Sequence, residues 1–360
     1  MRFDLSSWTA VQPGSDAETY LPSTPETVLW GRLPCADDEP VLSVASGAVV
    51  TVDTLSHEGL LPDQGQDPLA FFAREGVPPQ LVLEDAVRIA AERVHDEADG
   101  PHVVTGPIAV RGARPGDLLR IDVLELEPRV PYGVVSNRHG RGALPGEYPE
   151  GPDAVSVFAA VEERDDGWAG VLPRRAGSDA VARFPLAPFL GIMGVAVAGR
   201  ARPHSVPPGA HGGNIDVKLL VEGTALLLPV QVDDALAYVG DPHFAQGDGE
   251  VALTAMEASL RATLRFSVVP RSQALEAYGV VTGPLVVTPE YLVPTGLSED
   301  LDEAVQHAVR AAIELLHARF GMDRSNALAY LSAATDFDIS QVVDLVKGVH
   351  AKIRIADFDA

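Results

Sequence analysis

Two glycine-rich clusters of acidic, imidazole and amide side chains lie between residues 203 and 257 of this 360-residue chain. The first is His211-Gly212-Gly213-Asn214-Ile215-Asp216, and the second is Asp241-Pro242-His243-Phe244-Ala245-Gln246-Gly247-Asp248-Gly249-Glu250. Carboxylates and imidazoles are the usual ligands of hard or borderline metals and the usual proton carriers in catalysis. Glycine lets the backbone approach a ligand closely. The two clusters therefore predict an active site that uses a metal, an acid/base pair, or both.

The segment that joins the two clusters is predicted to be a β-hairpin. Its first strand places alternating apolar side chains on one face, Asp233-Asp234 supplies the turn, and Leu236 to Val239 forms the returning strand. The apolar face consists of Leu226, Leu228, Val230 and Val232. Because a hairpin folds the chain back on itself, we expect both clusters to reach the same edge of a sheet.

Short alternating runs between glycines and prolines predict strands at residues 27–32, 48–54, 118–126, 224–232 and 264–269. Many short strands with such turns favour β-sandwich or barrel-type lobes over alternating βαβ units. Apolar residues at helical spacing predict helices over 85–94, from a Ser298 cap to Phe320 with Gly321 as the stop, over 324–334, and over 340–346. The predicted fold class is mainly β with a C-terminal α+β part, its lobes joined by Gly/Pro-rich loops.

We predict three segments: an N-terminal β-rich lobe (1–190), a segment that carries the site motifs (191–270), and a C-terminal α+β lobe (271–360). Residues 130–151 and 162–179 are rich in glycine, proline and charge, and are predicted to be long loops that act as lids or oligomer contacts. The apolar segment 184–197 is either a buried core strand or part of an interface between subunits. We expect a homo-oligomer.

The composition excludes several classes of partner. With 27 basic and 51 acidic residues the formal net charge is -24, which repels phosphate backbones and anionic lipid. Neither nucleic acid nor membrane is therefore an expected partner. No apolar run reaches the ~18 residues that a membrane span requires. The first residues lack the apolar region of a signal peptide, so the expected location is cytoplasmic.

Covalent catalysis has no good candidate nucleophile in this sequence. Cys35, the only cysteine, lies close to Asp37 and Asp38, which should raise the pKa of its thiol, the wrong direction for a nucleophile. No Gly-x-Ser-x-Gly elbow occurs. No Ser-Ser-Lys arrangement lies beside any of the three lysines. The remaining candidate nucleophile is a water molecule that is activated by a metal, by a carboxylate, or by both.

Ordered motifs from His102 to Val343 resemble the acetamidase/formamidase family. Three lie in the central region: Gly212-Gly213-Asn214-Ile215-Asp216, Glu222-Gly223-Thr224 with Leu228-Pro229-Val230, and Gln246-Gly247-Asp248-Gly249-Glu250. The others are His102-Val103-Val104-Thr105-Gly106-Pro107 with Gly112-Ala113-Arg114-Pro115-Gly116-Asp117, Phe189-Leu190-Gly191-Ile192-Met193-Gly194-Val195, and Ile339-Ser340-Gln341-Val342-Val343. The resemblance implies a homo-oligomeric hydrolase that cleaves the C–N bond of a formamide-like or acetamide-like substrate.

Residue roles follow from the resemblance and from the chemistry of the side chains. A divalent metal, expected to be zinc with calcium or manganese as alternatives, would be held by Asp53, His102, Asp216 and His243. Glu250 and Asp248 would act as the acid/base pair. Asn214, His211, Gln246 and His57 would bind the substrate. Asn214 has an alternative role as a turn residue.

Two other functions fit the same sequence. One is a metal-dependent C–C hydrolase or decarboxylase of a small acidic metabolite, whose carboxylate could be held by Arg138, Arg141, Arg200 or Arg202. The other is a non-catalytic β-sandwich binding protein. The insertion from Asn137 to Tyr148 would also allow an amide larger than acetamide.

Overall fold

The computed structural model describes residue 5 and residues 8–165 and 167–358. Its strands are β1 (Tyr20–Leu21), β2 (Val28–Trp30), β3 (Leu42–Ala45), β4 (Ala48–Asp53), β5 (Val103–Arg111), β6 (Leu118–Pro128), β7 (Tyr132–Asn137), β8 (Val155–Arg164), β9 (Gly167–Pro173), β10 (Val181–Pro185), β11 (Phe189–Val195), β12 (Gly212–Asn214), β13 (Ala225–Pro229), β14 (Ala237–Ala245), β15 (Met256–Glu257), β16 (Leu260–Val269), β17 (Leu285–Val287), β18 (Tyr291–Ser298), β19 (Asp336–Gln341) and β20 (Lys347–Arg354). The α-helices are α1 (Pro68–Ala73), α2 (Glu84–Glu92), α3 (Arg271–Tyr278), α4 (Leu301–Phe320) and α5 (Arg324–Ala334).

The strands form two large sheets. The first has nine strands in the order β1-β4-β16-β6-β13-β17-β18-β20-β19. Its long strand β16 buries Leu260, Ala262, Leu264 and Phe266, alternating with more exposed residues, as expected of a strand with one face in the core. The second sheet has eleven strands in the order β10-β9-β8-β7-β15-β14-β11-β12, and β5 pairs with β14, β2 and β3.

The two sheets pack against each other through one apolar core. Side chains of the first sheet such as Val50 and Leu226 contact the cluster that also contains Met193 and Val239 of the second sheet. The predicted β-sandwich class, with a C-terminal helical part, is confirmed. The apolar segment 184–197 supplies β11, which is buried throughout between β14 and β12, so it is a core strand.

The predicted hairpin is wrong. β13 pairs with β6 and β17 in the first sheet, whereas β14 pairs with β11, β5 and β15 in the second. The predicted turn docks on another part of the chain, because the Asp234 carboxylate accepts a hydrogen bond from the Gly112 amide at 2.8 Å. Asp234, Ala235 and Leu236 all have positive φ, which turns the chain out of the first sheet and into the second.

Most helices form where the sequence predicts them. α4 ends at Gly321, whose φ of 64° supplies the left-handed stop, but its cap is Asp300, not Ser298. The predicted helix at residues 340–346 is wrong: β19 continues to Gln341 and the following residues form a loop. The two predicted long loops also contain regular structure, since they include β7, the end of β8 and all of β9.

The three-part division of the chain stays a prediction. Its first boundary, at 190/191, falls inside β11, and its second, at 270/271, falls between β16 and α3. The first sheet combines strands from all three segments. Among the described residues, no helix is long and apolar enough to cross a membrane.

Candidate active site

The acidic and imidazole side chains meet around β14. This strand carries Asp241 and His243, and its neighbour β15 places Glu257 directly opposite His243. His102 immediately precedes β5, another partner of β14, and His57 follows the end of β4. The pairing of β14 with strands from distant parts of the chain therefore assembles the site.

Gly191 on β11 makes the close packing of these side chains possible. A Cβ atom at this position would lie 2.5 Å from Asp216 Oδ1, 2.7 Å from Asp241 Oδ2 and 2.7 Å from His243 Cε1. Such distances are shorter than van der Waals contact, so any other residue would displace the site. The backbone of Gly191 also accepts a hydrogen bond from the Ile215 amide at 3.1 Å, which fixes the chain just before Asp216.

Three of the carboxylates lie on strained backbone. Asp216, Asp241 and Glu250 have φ values of 49°, 50° and 46°, in the left-handed region that non-glycine residues rarely adopt. Each such residue costs roughly 1–2 kcal/mol. Strain of this kind persists where it directs a side chain towards a functional position.

The first group of potential ligands consists of His57, His102 and Asp241. Asp241 Oδ1 lies 3.7 Å from His57 Nδ1 and 3.9 Å from His102 Nε2. Burial lowers the pKa of His102 to about 4, so its ring is neutral. Its Nδ1 atom lies 3.0 Å from the Ser205 hydroxyl, which orients Nε2 towards Asp241.

His243 lies between two carboxylates. Its Nε2 atom is 3.1 Å from Asp241 Oδ2 and 3.0 Å from Glu257 Oε1. Burial acts to lower the pKa of His243, but the negative charges of Glu257 and Asp241 outweigh it and raise the pKa well above its usual range. Burial raises the pKa of Glu257 to about 7.

A further group of acids faces the same space. Burial raises the pKa of Glu250 well above its usual range, and the charge of Asp216 adds to this. Burial and the proximity of Asp344 raise the pKa of Asp216 in the same way. Neighbouring buried carboxylates repel one another, so each ionised member of this group makes ionisation of the others less favourable.

Many polar atoms of the site have no hydrogen-bond partner among the described residues, although they are buried. They include His57 Nδ1, Asn214 Oδ1, both Asp216 oxygens, Asp241 Oδ1, Glu257 Oε2 and Asp344 Oδ2. Three overlapping groups could hold a metal ion, with ligand atoms within 4.8 Å of one another: His57/His102/Asp241, Asp216/His243/Glu250 and Asp241/His243/Glu257. The site is therefore chemically suited to a cation.

Of these side chains, His57, His102, Asp241, Glu250 and Glu257 line the buried end of a cavity of about 500 Å³. The cavity also contacts Asn214, the loop that carries Arg138 and Arg141, and the C-terminal loop with Asp344 and Lys347. A small organic molecule can thus contact the buried acids and the outer cationic residues at the same time.

Several predicted site residues are brought together and others are not. His57, His102, Asn214 and Glu250 line the cavity. The group that contains His243 also includes Asp216. Gln246 is close, but its side chain is occupied: its amide donates to the backbone oxygens of Asp216 and Ser340, and its Oε1 lies 3.1 Å from His243 Nδ1.

Asp53, Asp248 and His211 are not placed with the potential ligands. Asp53, predicted to bind the metal, lies at the end of β4 with its carboxylate 2.7 Å from Arg261 Nε. Asp248, predicted as a catalytic acid, forms an ion pair with Lys218 at 2.6 Å outside this cavity. The His211 ring packs against Gly209 and Gly213.

Sequence reasoning missed Glu257 and Asp344 and gave Asp241 no specific role. Glu257 lies outside the glycine-rich motifs, and Asp344 lies in a segment predicted to be helical. Their common signal is burial, which is visible only once the sheets are paired. The prediction for Cys35 is confirmed in direction: burial, together with Asp38, raises the pKa of its thiol.

Comparison with known proteins identifies the family. The model of the Acetamidase/Formamidase family matches residues 90–200 and 196–356. The chain belongs to this family. It is 29% identical over 303 residues to a formamidase of Methylophilus methylotrophus, covering 68% of this chain and 74% of that protein. It is 29% identical over 261 residues to an acetamidase of Mycolicibacterium smegmatis, covering 55% and 62%.

The fold agrees with this assignment. The crystal structure of an acetamidase from Bacillus halodurans superposes with a TM-score of 0.71 at 24% identity, covering 94% of this chain and 98% of that one. As a member of the acetamidase/formamidase family, the chain is an amidase.

Proposed function

We propose that this amidase hydrolyses the C–N bond of a small primary carboxamide, releasing a carboxylate and ammonia with the help of a bound divalent metal. The observation that supports the proposal most strongly is the cavity whose inner end consists of buried imidazole and carboxylate atoms without hydrogen-bond partners among the described residues. The formamidase and acetamidase names of its relatives agree with a small amide as substrate.

We propose zinc, held by His57, His102 and Asp241. Two imidazoles and one carboxylate are a common ligand set of catalytic zinc, and they leave a position open for substrate or water. Calcium prefers 6–8 oxygen ligands, so the imidazoles argue against it, while manganese is the second choice. When bound, zinc supplies a Lewis acid that lowers the pKa of water towards ~7 and polarises the amide carbonyl.

Glu250 is the proposed general base and acid. It lines the cavity, and burial raises the pKa of its carboxyl group, which makes the ionised form a stronger base. Glu250 takes a proton from the attacking water and passes it to the departing nitrogen. Asp248 is left out of this mechanism because Lys218 holds it outside the cavity.

Asn214 is the proposed substrate-orienting residue. It lines the cavity, is only 2% exposed, and its side-chain oxygen has no partner among the described residues. That oxygen can accept a hydrogen bond from the amide NH₂ group of the substrate and so direct the carbonyl towards the imidazoles. Gln246 acts indirectly, because it holds His243 and the backbone of Asp216 in place.

Metal analysis combined with an ammonia-release assay tests the proposal. We expect bound zinc in the purified protein, loss of formamide or acetamide hydrolysis after chelation, and recovery on adding zinc. Asp241→Asn should lose the metal, whereas the matched control Asp248→Asn should keep both metal and activity. Full ammonia release by metal-free protein, or metal retained in Asp241→Asn, would contradict the ligand assignment.

We also propose a homo-oligomer. The apolar strand β11 no longer supports it, but the loop after β7 exposes Leu144 at 50% and Tyr148 at 52%, and the neighbouring Val251 is 64% exposed. The Ala143 amide donates to the Val251 carbonyl oxygen at 2.9 Å, so these residues belong to one surface. Light scattering that gives only the monomer mass of 38.0 kDa at micromolar concentration would rule this out. The cytoplasmic location stays a prediction.

A further inference from the structure

The cavity of the proposed amidase site has two chemically different ends. Its inner end is lined by buried imidazoles and carboxylates, whereas the more exposed Arg138, Arg141 and Lys347 line its outer part. The chain has only 27 basic residues against 51 acidic ones, so its overall field repels anions. The cationic residues around this cavity therefore differ locally from the net negative charge of the protein.

Arg141 is the cation available to a ligand. The neighbouring Arg138 is occupied by Asp63, with Nε 2.5 Å from Oδ2. The Lys347 ammonium donates to the backbone oxygen of Glu299. Within the described part of the chain, the Arg141 guanidinium forms neither an ion pair nor a side-chain hydrogen bond, and its side chain is exposed to solvent.

The backbone that carries Arg141 is fixed relative to the catalytic end of the cavity. The Arg141 amide donates to the Arg138 carbonyl oxygen at 3.0 Å, and the Ala143 amide donates to that of Val251 at 2.9 Å. Val251 directly follows Glu250, the proposed base. The loop is thus attached to the segment that supplies the base, which keeps the backbone of Arg141 at a defined separation from that of Glu250.

The cavity is larger than formamide or acetamide requires. Its volume of about 500 Å³ corresponds to more than ten water molecules at ~30 Å³ each. Formamide and acetamide contain only three and four non-hydrogen atoms. Either would fill only a small part of this space and would contact nothing at the outer end.

We propose that the preferred substrate is a linear primary amide that also carries a carboxylate, which forms a bidentate salt bridge with Arg141. This inference rests on the proposed amidase function and adds the substrate class. Water adds to the amide carbonyl, the C–N bond breaks, and the nitrogen leaves as ammonia with the proton delivered by Glu250. The product is a dicarboxylate. Guanidinium and carboxylate groups match in shape and charge, which makes arginine suited to this recognition.

A matched pair of amides tests the proposal. The monoamide of butanedioic acid carries the carboxylate, and 4-oxopentanamide replaces that group with a neutral acetyl group of the same shape. We expect the kcat/KM of wild-type protein to be ~10- to 100-fold higher for the acid than for the neutral amide. This ratio corresponds to the free energy that a hydrogen bond between charged groups contributes to binding. In Arg141→Gln the ratio of the two kcat/KM values should fall to about one, mainly through a higher KM for the acid.

Arg200→Gln is the matched control, because Arg200 pairs with Asp37 on the surface and its side chain is 87% exposed. This variant should keep the wild-type ratio. Calorimetry with butanedioate, the expected product, gives a second readout: wild-type protein and Arg200→Gln should bind it, and Arg141→Gln should bind it at least 10-fold more weakly.

The outcomes separate this inference from the amidase proposal. Ammonia release from formamide, acetamide and 4-oxopentanamide without any preference for the acid would overturn the inference alone. An acid preference that survives in Arg141→Gln would also overturn it. The absence of ammonia release from every amide would overturn both proposals together.

Discussion

Two buried polar clusters lie close to the ends of β4 and β14, and they differ in one respect. In the first, which we call the Asp53 network, Asp53 and Asp85 face Arg129 and Arg261, with closest distances of 2.7 and 2.8 Å. In the second, the site around Asp241, carboxylates face imidazoles and one another: His243 Nε2 lies 3.1 Å from Asp241 Oδ2 and 3.0 Å from Glu257 Oε1.

The two clusters show how a structural group of buried charges differs from a functional one. Leaving a buried charge without a partner costs several kcal/mol, so a stable fold pairs it with an opposite charge, as Arg261 and Arg129 do for Asp53. Around Asp241 the neighbours are imidazoles instead, and Asp241 Oδ1 lies 3.7 Å from His57 Nδ1 and 3.9 Å from His102 Nε2, beyond hydrogen-bond distance. Such atoms are positioned for a ligand, so the three predictions below perturb each kind of cluster in turn.

The largest effect is expected from Glu250→Gln. Glutamine keeps the shape of the side chain but cannot carry the proton, so kcat should fall ~10²- to 10⁴-fold. The free energy of unfolding should stay equal or rise, because a buried acid is replaced by a neutral amide. Ammonia release measured beside urea unfolding checks both, with the exposed Glu290→Gln as control. Wild-type turnover would remove Glu250 from the mechanism.

Asp53→Asn should affect stability and not chemistry. It leaves Arg261 without its carboxylate partner and removes one of the two carboxylates beside the buried Arg129, which should lower the free energy of unfolding by ~3–5 kcal/mol. Asp37→Asn removes an exposed pair with Arg200 and should cost less than ~1 kcal/mol. Urea unfolding measures both changes. If Asp53→Asn instead lost its metal at unchanged stability, Asp53 would belong to the site after all.

His211 is a third kind of buried polar group, without an ionic partner. Burial lowers its pKa from 6.5 to about 4, so the folded protein holds it neutral while the unfolded chain binds a proton. Stability should therefore fall as the pH decreases from 6.5 to 4, by up to ~3 kcal/mol. His211→Gln should reduce this part of the pH dependence, measured by urea unfolding at pH 7 and pH 4.5. Identical pH dependence in variant and wild type would contradict the assignment.

Local patterns in the sequence predict the strands and helices well, because alternation and caps are short-range signals. β16 alternates buried and exposed residues, and Gly321 ends α4, as expected. Which strands pair with each other is not determined by the local sequence. Asp233-Asp234 has the composition of a hairpin turn. The Asp234 carboxylate nevertheless accepts a hydrogen bond from the Gly112 amide, more than 100 residues away in the sequence.

The site was predictable to the extent that its residues lie in recognisable motifs. His102, Asn214, Asp216, His243 and Glu250 could be named from the sequence. Asp53 was named for its place at the end of a strand, but its role depends on Arg129 and Arg261, which the sequence does not place beside it. Glu257 became visible only through its pairing opposite His243.

The separation of β13 and β14 into different sheets has a consequence for how the protein is made. Neighbouring strands in this fold come from distant parts of the chain, as in the pairing of Arg261 with Asp53. Folds dominated by such distant pairs form slowly, because large loops must close before contacts stabilise them. His57 and Asp344 both line the cavity although 287 residues separate them in the sequence. The cavity therefore forms only after the loop with Asp344 has been synthesised, and a fragment that stops before this loop cannot contain it.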